Sequence, residues 1–138
     1  MSKIELEYLG DLQTHCTHED SGAEITVDAP KEVGGAGAYF APTDLLAASL
    51  GACMLTLMGL AAKRFGVDVK GTKVSVRKEM RTSPPGRVKT IWISIYCPKE
   101  FNEEVTKNLI TAMKTCPVHQ SLHPDVEQKI EYFWGRSQ

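Results

Sequence analysis

Apolar and polar side chains alternate strictly at the start of the chain, with Ile4, Leu6 and Tyr8 on one side and Lys3, Glu5 and Glu7 on the other. A period of two is that of a half-buried β-strand. Gly10-Asp11 breaks it, and Leu12, Thr14, Cys16 and His18 then alternate with Gln13, His15 and Thr17. After a second break at Asp20-Ser21-Gly22, the apolar set Ala23, Ile25 and Val27 opposes Glu24, Thr26 and Asp28. Three short strands joined by tight turns predict an antiparallel meander. A glycine-rich loop, APKEVGGAGAYFA at residues 29–41, comes next. It lacks the Gly-Lys-Ser/Thr ending of a phosphate-cradling loop and reads as a connector.

At Pro42 the period changes. From there to Gly66 the chain predicts one long helix, opened by a proline in the first turn and stopped by a glycine after Lys63 and Arg64. One face reads Leu46, Leu50, Cys53, Leu57 and Leu60, and the opposite face Leu45, Ala48, Ala52, Leu55 and Gly59. A helix apolar all round is expected to be buried on every side. The 18 uncharged residues from Leu45 to Ala62 reach the lower limit for a bilayer span. No basic cluster or aromatic belt flanks them, and amphipathic strands make up the rest, so the expectation is a core helix and no membrane.

The second half returns to a period of two. Val74, Val76 and Met80 alternate with Lys73, Ser75, Arg77 and Glu79, and Thr82-Ser83-Pro84-Pro85-Gly86 closes a hairpin. Its partner, Val88 to Cys97, is apolar on both faces and is expected to be a central strand. Asn102 caps a second helix whose inward face is Val105, Leu109, Ala112, Met113 and Cys116. Pro117 starts a short new turn, PVHQSL, and a last strand sets Val126, Ile130, Tyr132 and Trp134 against Glu127, Lys129, Glu131 and Phe133. The order is βββα then ββαβ. Six strands are too few to wrap a helix that is apolar on all sides, which favours a dimer with two such helices inside shared sheets.

The totals narrow the function. With 138 residues the chain is expected to form a single domain over 1–138: a meander and loop (1–41), the central helix (42–66) and a ββαβ half (67–138). A formal charge of −1 with dispersed Lys and Arg argues against nucleic acid and membrane surfaces as partners. The N-terminus MSKIELEY carries no apolar signal core, so a cytoplasmic location is expected. Cysteines at 16, 53, 97 and 116 include no C-x-x-C pair and read as thiols rather than a disulfide framework. Cys16 and Cys97 lie on regular strands and read as small hydrophobes. Cys53 interrupts the buried helix, and Cys116 stands before Pro117, where it can cap the next turn. Backbone N–H groups there would stabilise a thiolate, which makes Cys116 the more acidic thiol on local grounds. A metal site from Cys53, Cys116, His119 and His123 is a weaker reading of the same residues.

PTDLLAASLGACMLTLMGLAA and CPVHQSLHPDVE resemble the two cysteine motifs of the OsmC/Ohr family, the osmotically inducible and organic hydroperoxide resistance proteins. They stand 63 residues apart in matching elements, and the resemblance covers essentially the whole chain. It implies an α+β fold of OsmC-like βββα–ββαβ order, an intertwined homodimer with long central helices buried between antiparallel sheets. It also implies a thiol peroxidase acting on small organic hydroperoxides. By position Cys53 matches the peroxidatic cysteine and Cys116 the resolving one. Cys53 would become a sulfenic acid, Cys116 would condense with it to a disulfide, and an external dithiol reductant would reopen that bond, with no other cofactor and no metal.

The chain departs from the family pattern at the activating groups. The family's arginine from the early chain has no counterpart, since residues 10–42 contain none. The glutamate that would hold it is replaced by Thr43, with Asp44 beside it. His15 and His18 are the nearest early cations, and Arg77 is the plainest arginine that could reach a partner's Cys53. A second reading is therefore a family member that keeps the dimer without catalysis and binds a small ligand or senses oxidation.

Overall fold

The computed structural model describes all 138 residues. In chain order the elements are β1 (Ile4–Gly10), β2 (Gln13–His18), β3 (Glu24–Asp28), α1 (Pro42–Phe65), β4 (Lys73–Met80), β5 (Val88–Cys97), α2 (Glu103–Met113), α3 (Pro117–Ser121) and β6 (Glu127–Trp134), with a 3-10 turn at Lys31–Val33. Each predicted element forms, within a residue or two of its expected bounds, except that α2 ends at Met113 rather than running to Cys116. The chain divides into two compact units, Met1–Leu46 and Ala47–Gln138.

In the first unit β1, β2 and β3 form the expected antiparallel meander, with Leu6 opposite Cys16 and Cys16 opposite Ile25. The turn between β1 and β2 holds Gly10, Asp11 and Leu12 all at positive φ, the geometry whose twist suits a tight hairpin. The alternation of β1 does not produce a half-buried strand here: Ile4, Leu6 and Tyr8 are all exposed, as is Ile25. The glycine-rich loop is tightly folded rather than loose. Asp28 Oδ2 accepts from the Ala38 N–H at 2.9 Å, the Asp28 N–H donates to the Phe40 carbonyl at 3.0 Å, and a Cβ at Gly35 would sit 1.9 Å from the Ala29 carbonyl oxygen. Asp28 is itself buried, and its second carboxylate oxygen has no partner.

In the second unit β5 is central, between β4 and β6. β4 runs antiparallel to it, with Val76 opposite Ile93, whereas β6 runs parallel, with Ile93 opposite Ile130. The sheet is therefore mixed, not wholly antiparallel. The reason is the connection: α2 and α3 intervene between β5 and β6, and a helical crossover returns the chain in the same direction. The inward row Ile91, Ile93, Ile95 and Cys97 forms one core with Leu50, Met54 and Met58 of α1 and Leu109 and Met113 of α2. α2 starts as its sequence dictates, with Asn102 Oδ1 accepting from the Val105 N–H at 2.9 Å. α1 approaches β4 closely at Gly51, where a Cβ would meet Val76 Cγ2 at 3.0 Å and Val74 Cγ1 at 3.3 Å.

Burial of α1 on every side is expected of a dimer, and a single chain achieves it on one side only. On that side Ala47, Leu50, Gly51, Met54, Met58, Ala61 and Ala62 are buried. Leu46, Ala52, Thr56 and Leu60 are exposed, and Leu60 is 52% so. A three-stranded sheet and one short helix supply a single packing layer, and a helix needs two to hide its whole circumference. By length and composition alone α1 is long and apolar enough to cross a membrane.

Candidate active site

Both thiols singled out in the sequence lie in the second unit. Cys53 projects from the middle of α1, between its buried face and its uncovered one, and is partly exposed. Cys116 is fully buried and follows directly on α2. The two come together: Cys53 lies close enough to Cys116 to act on its proton, and neither is in a disulfide. Met113, one helical turn before Cys116, is anchored in the core shared with Met54 of α1, which carries the end of α2 to the middle of the long helix.

Pro117 fixes the geometry at Cys116. It opens the five-residue α3, so Cys116 becomes the N-cap, and its Sγ accepts from the His119 N–H at 3.3 Å. The capping prediction thus holds, but the acidity inferred from it does not. Burial pushes the Cys116 thiol above its ordinary range, and the neighbouring Cys53 thiol pushes it further. The N–H groups of His119 and Val118 act in the opposite direction and are outweighed. Cys116 is therefore held as a proton-bearing thiol beside Cys53.

The histidines do not converge on the thiols as a metal site would require. The His119 ring hydrogen-bonds through Nδ1 to Gln128 Oε1. The His123 ring faces Arg87, whose Nη1 lies 3.0 Å from its Nε2, and Arg87 also pairs with Asp125 at 3.4 Å. No group of three His, Cys, Asp or Glu side chains is placed to hold a metal ion. His15 lies 3.6 Å from Glu24, and His18 Nδ1 is 2.6 Å from Ser21 Oγ, both on the first unit. Asp44 Oδ2 accepts from the Ala41 N–H at 2.9 Å, at the entry to α1. Arg77 packs its guanidinium over the Trp92 ring, 5.5 Å from the centroid, on the outward row of the second sheet. Cys16 and Cys97 sit on their strands as expected, unpaired.

Gln128 is the polar residue near this site that the period of two does not single out. The inward row of the last strand reads Val126, Ile130, Tyr132 and Trp134, and Gln128 occupies its one polar position. That break in an apolar row was the available signal. An amide turned toward a core costs free energy unless it is bonded there.

The fold and this pair define a class of protein: an α+β chain that carries two unbridged thiols, one part-exposed and one buried, in mutual contact. Residues 34–131 match the OsmC-like protein family, and the chain belongs to that family. It is similar along 96% of both chains to a proposed osmotic stress induced and detoxification response protein from Psychrobacter arcticus 273-4, with 40% identity and a TM-score of 0.90. An organic hydroperoxide resistance protein OsmC from Legionella pneumophila shares the fold at a TM-score of 0.77, with 17% identity over 96% of each chain. So does an organic hydroperoxide resistance protein from Elizabethkingia anophelis, at 0.76 and 21% identity over 97% of this chain and 96% of that one. No curated protein matches the chain in sequence.

Proposed function

We propose that this protein is a thiol peroxidase that reduces organic hydroperoxides. The observation that carries the reading is the contact between a part-exposed Cys53 and a buried, proton-bearing Cys116. The accessible sulfur attacks the peroxide O–O bond, an alcohol leaves, and Cys53 becomes a sulfenic acid. Cys116 then displaces water from it to form a disulfide, and an external dithiol reductant returns both thiols. Such a cycle suits the cytoplasm, where thiols are kept reduced. The uncovered apolar half of α1 supports a homodimer, as does the exposed row Ile4, Leu6 and Tyr8. In that dimer a second copy supplies the missing packing layer.

A second reading has its own support. Arg77 is engaged with Trp92, Arg87 with Asp125 and Arg136 with the Phe133 ring, so none of the three is free to activate a thiol. A dimer that binds a small ligand or senses oxidation through Cys53 needs no such cation. Peroxide consumption with a dithiol reductant decides between the two, comparing the parent with Cys53→Ser for an organic hydroperoxide and for hydrogen peroxide. Turnover of the organic hydroperoxide that vanishes in Cys53→Ser is the expected result. Equal, background consumption by both proteins would overturn the peroxidase reading and leave the second.

A further inference from the structure

Gln128 pairs in register with Ile91, and Ile130 with Ile93, and residues in register on neighbouring strands share a face. Ile91 and Ile93 are fully buried, so Gln128 points to the side where the helices pack. Its amide is satisfied there at both ends by a single residue. Oε1 accepts from His119 Nδ1, and Nε2 donates to the His119 carbonyl at 3.4 Å. This assigns the ring proton to Nδ1 and fixes the amide orientation together. The His119 backbone N–H, in turn, is the donor to Cys116 Sγ. The chain of contacts runs from β6, through one residue of α3, to the buried thiol.

We infer that Gln128 and His119 form a clamp that positions Cys116 for attack on an oxidised Cys53. The inference rests on the peroxidase reading above. A helix of five residues does not hold its own geometry, because a single turn fixes several torsions for very few hydrogen bonds. Val118 and Leu122 pack against the core and keep the turn near the sheet, but apolar contact has no direction. The two bonds from Gln128 supply direction and set where the His119 N–H points.

The step that needs this direction is disulfide formation. The Cys116 sulfur attacks the sulfenic sulfur of Cys53, an S–S bond forms and the S–O bond breaks. The departing hydroxide takes the proton of Cys116 and leaves as water. Charge builds on the Cys116 sulfur as its proton departs, in a buried setting that resists charge, and an aimed N–H offsets that resistance. Gln128 and His119 touch neither the peroxide nor Cys53 in this scheme. Their role is positioning, and it falls on the second chemical step alone.

The test separates the two steps. Rapid-quench mass spectrometry after one equivalent of organic hydroperoxide follows Cys53 sulfenic acid, trapped by a dimedone-type reagent, and the Cys53–Cys116 disulfide. Gln128→Leu removes the amide at similar volume. Sulfenic acid should form at the parental rate, and the disulfide should form on the order of tenfold more slowly, the effect of losing two hydrogen bonds of modest net worth each. Excess peroxide should then drive the variant on to sulfinic acid. Gln128→Glu keeps the acceptor for His119 Nδ1 and should restore most of the disulfide rate. His119→Ala approaches the clamp from its other side and should resemble Gln128→Leu. A parental disulfide rate in folded Gln128→Leu and His119→Ala would overturn the clamp, as would an equal slowing of both steps. If the parent forms no sulfenic acid, the peroxidase reading fails by itself. Diamide, which oxidises thiol pairs without peroxide, then tests the clamp separately, and equal rates in parent and variants would overturn it.

Discussion

Cys116 is a residue whose neighbours pull its proton in opposite directions. Burial and the neighbouring Cys53 thiol hold the proton, while two backbone N–H groups favour its release, and the first pair prevails. This has a consequence for stability. In the unfolded chain the thiol ionises near its ordinary value of 9.0, whereas in the native protein it keeps its proton to higher pH. Between those two values the unfolded state has lost a proton that the native state retains, so raising the pH favours unfolding. The contribution of Cys116 is therefore complete below pH 9 and declines above it. Urea unfolding of the reduced parent and of Cys116→Ala, at intervals from pH 7 to 10, should show the parent's advantage shrinking as the pH passes 9. An advantage that stays constant across that range would count against this account. At the same scale, Asp28 ties the glycine-rich segment into a defined loop with one carboxylate oxygen, which explains why a stretch of small residues does not behave as a loose connector.

Among the elements, α1 shows how a helix can be legible in sequence while its facing is not. Its bounds follow from Pro42 and from Gly66, which takes positive φ just past the end. An apolar helix carries no stripe to say which side meets the sheet, so the facing is set by fit. Gly51 records that fit, since it lets the α1 backbone settle onto Val74 and Val76. Gly51→Ala sets a helix-propensity gain of about 1 kcal/mol against a modest displacement of Val76, and the two nearly cancel. Gly51→Leu has no such compensation and should lose about 1–3 kcal/mol in urea unfolding through overpacking. A Leu variant as stable as the parent would mean that the contact is not close in solution.

For the whole molecule, the decisive feature is apolar surface without a cover. Leu60 on α1 exposes a large apolar side chain in one unit, and the row Ile4, Leu6 and Tyr8 on β1 exposes three in the other. Light scattering at micromolar concentration should return about twice the 15.2 kDa chain mass. Leu60→Glu, which places a charge on the uncovered face of α1, should shift that mass toward the monomer. A parent that remains monomeric and folded would remove the dimer from the proposal.

The sequence by itself determined the elements, their order, the family and the two cysteines, because each leaves a local mark: a period of two, a proline at a helix start, an asparagine cap, a thiol directly before a proline. It determined less about the partners of those elements. That β6 lies parallel to β5, that α1 is covered on one face only, and that Cys116 loses its local acidity to burial depend on contacts far apart along the chain. Gln128 joins both cases. Its amide in an apolar row was visible in the sequence as a misplaced polar group. Its use was decided by tertiary structure alone, because a side chain on the last strand acquires a role only when folding brings it against the turn that carries a thiol.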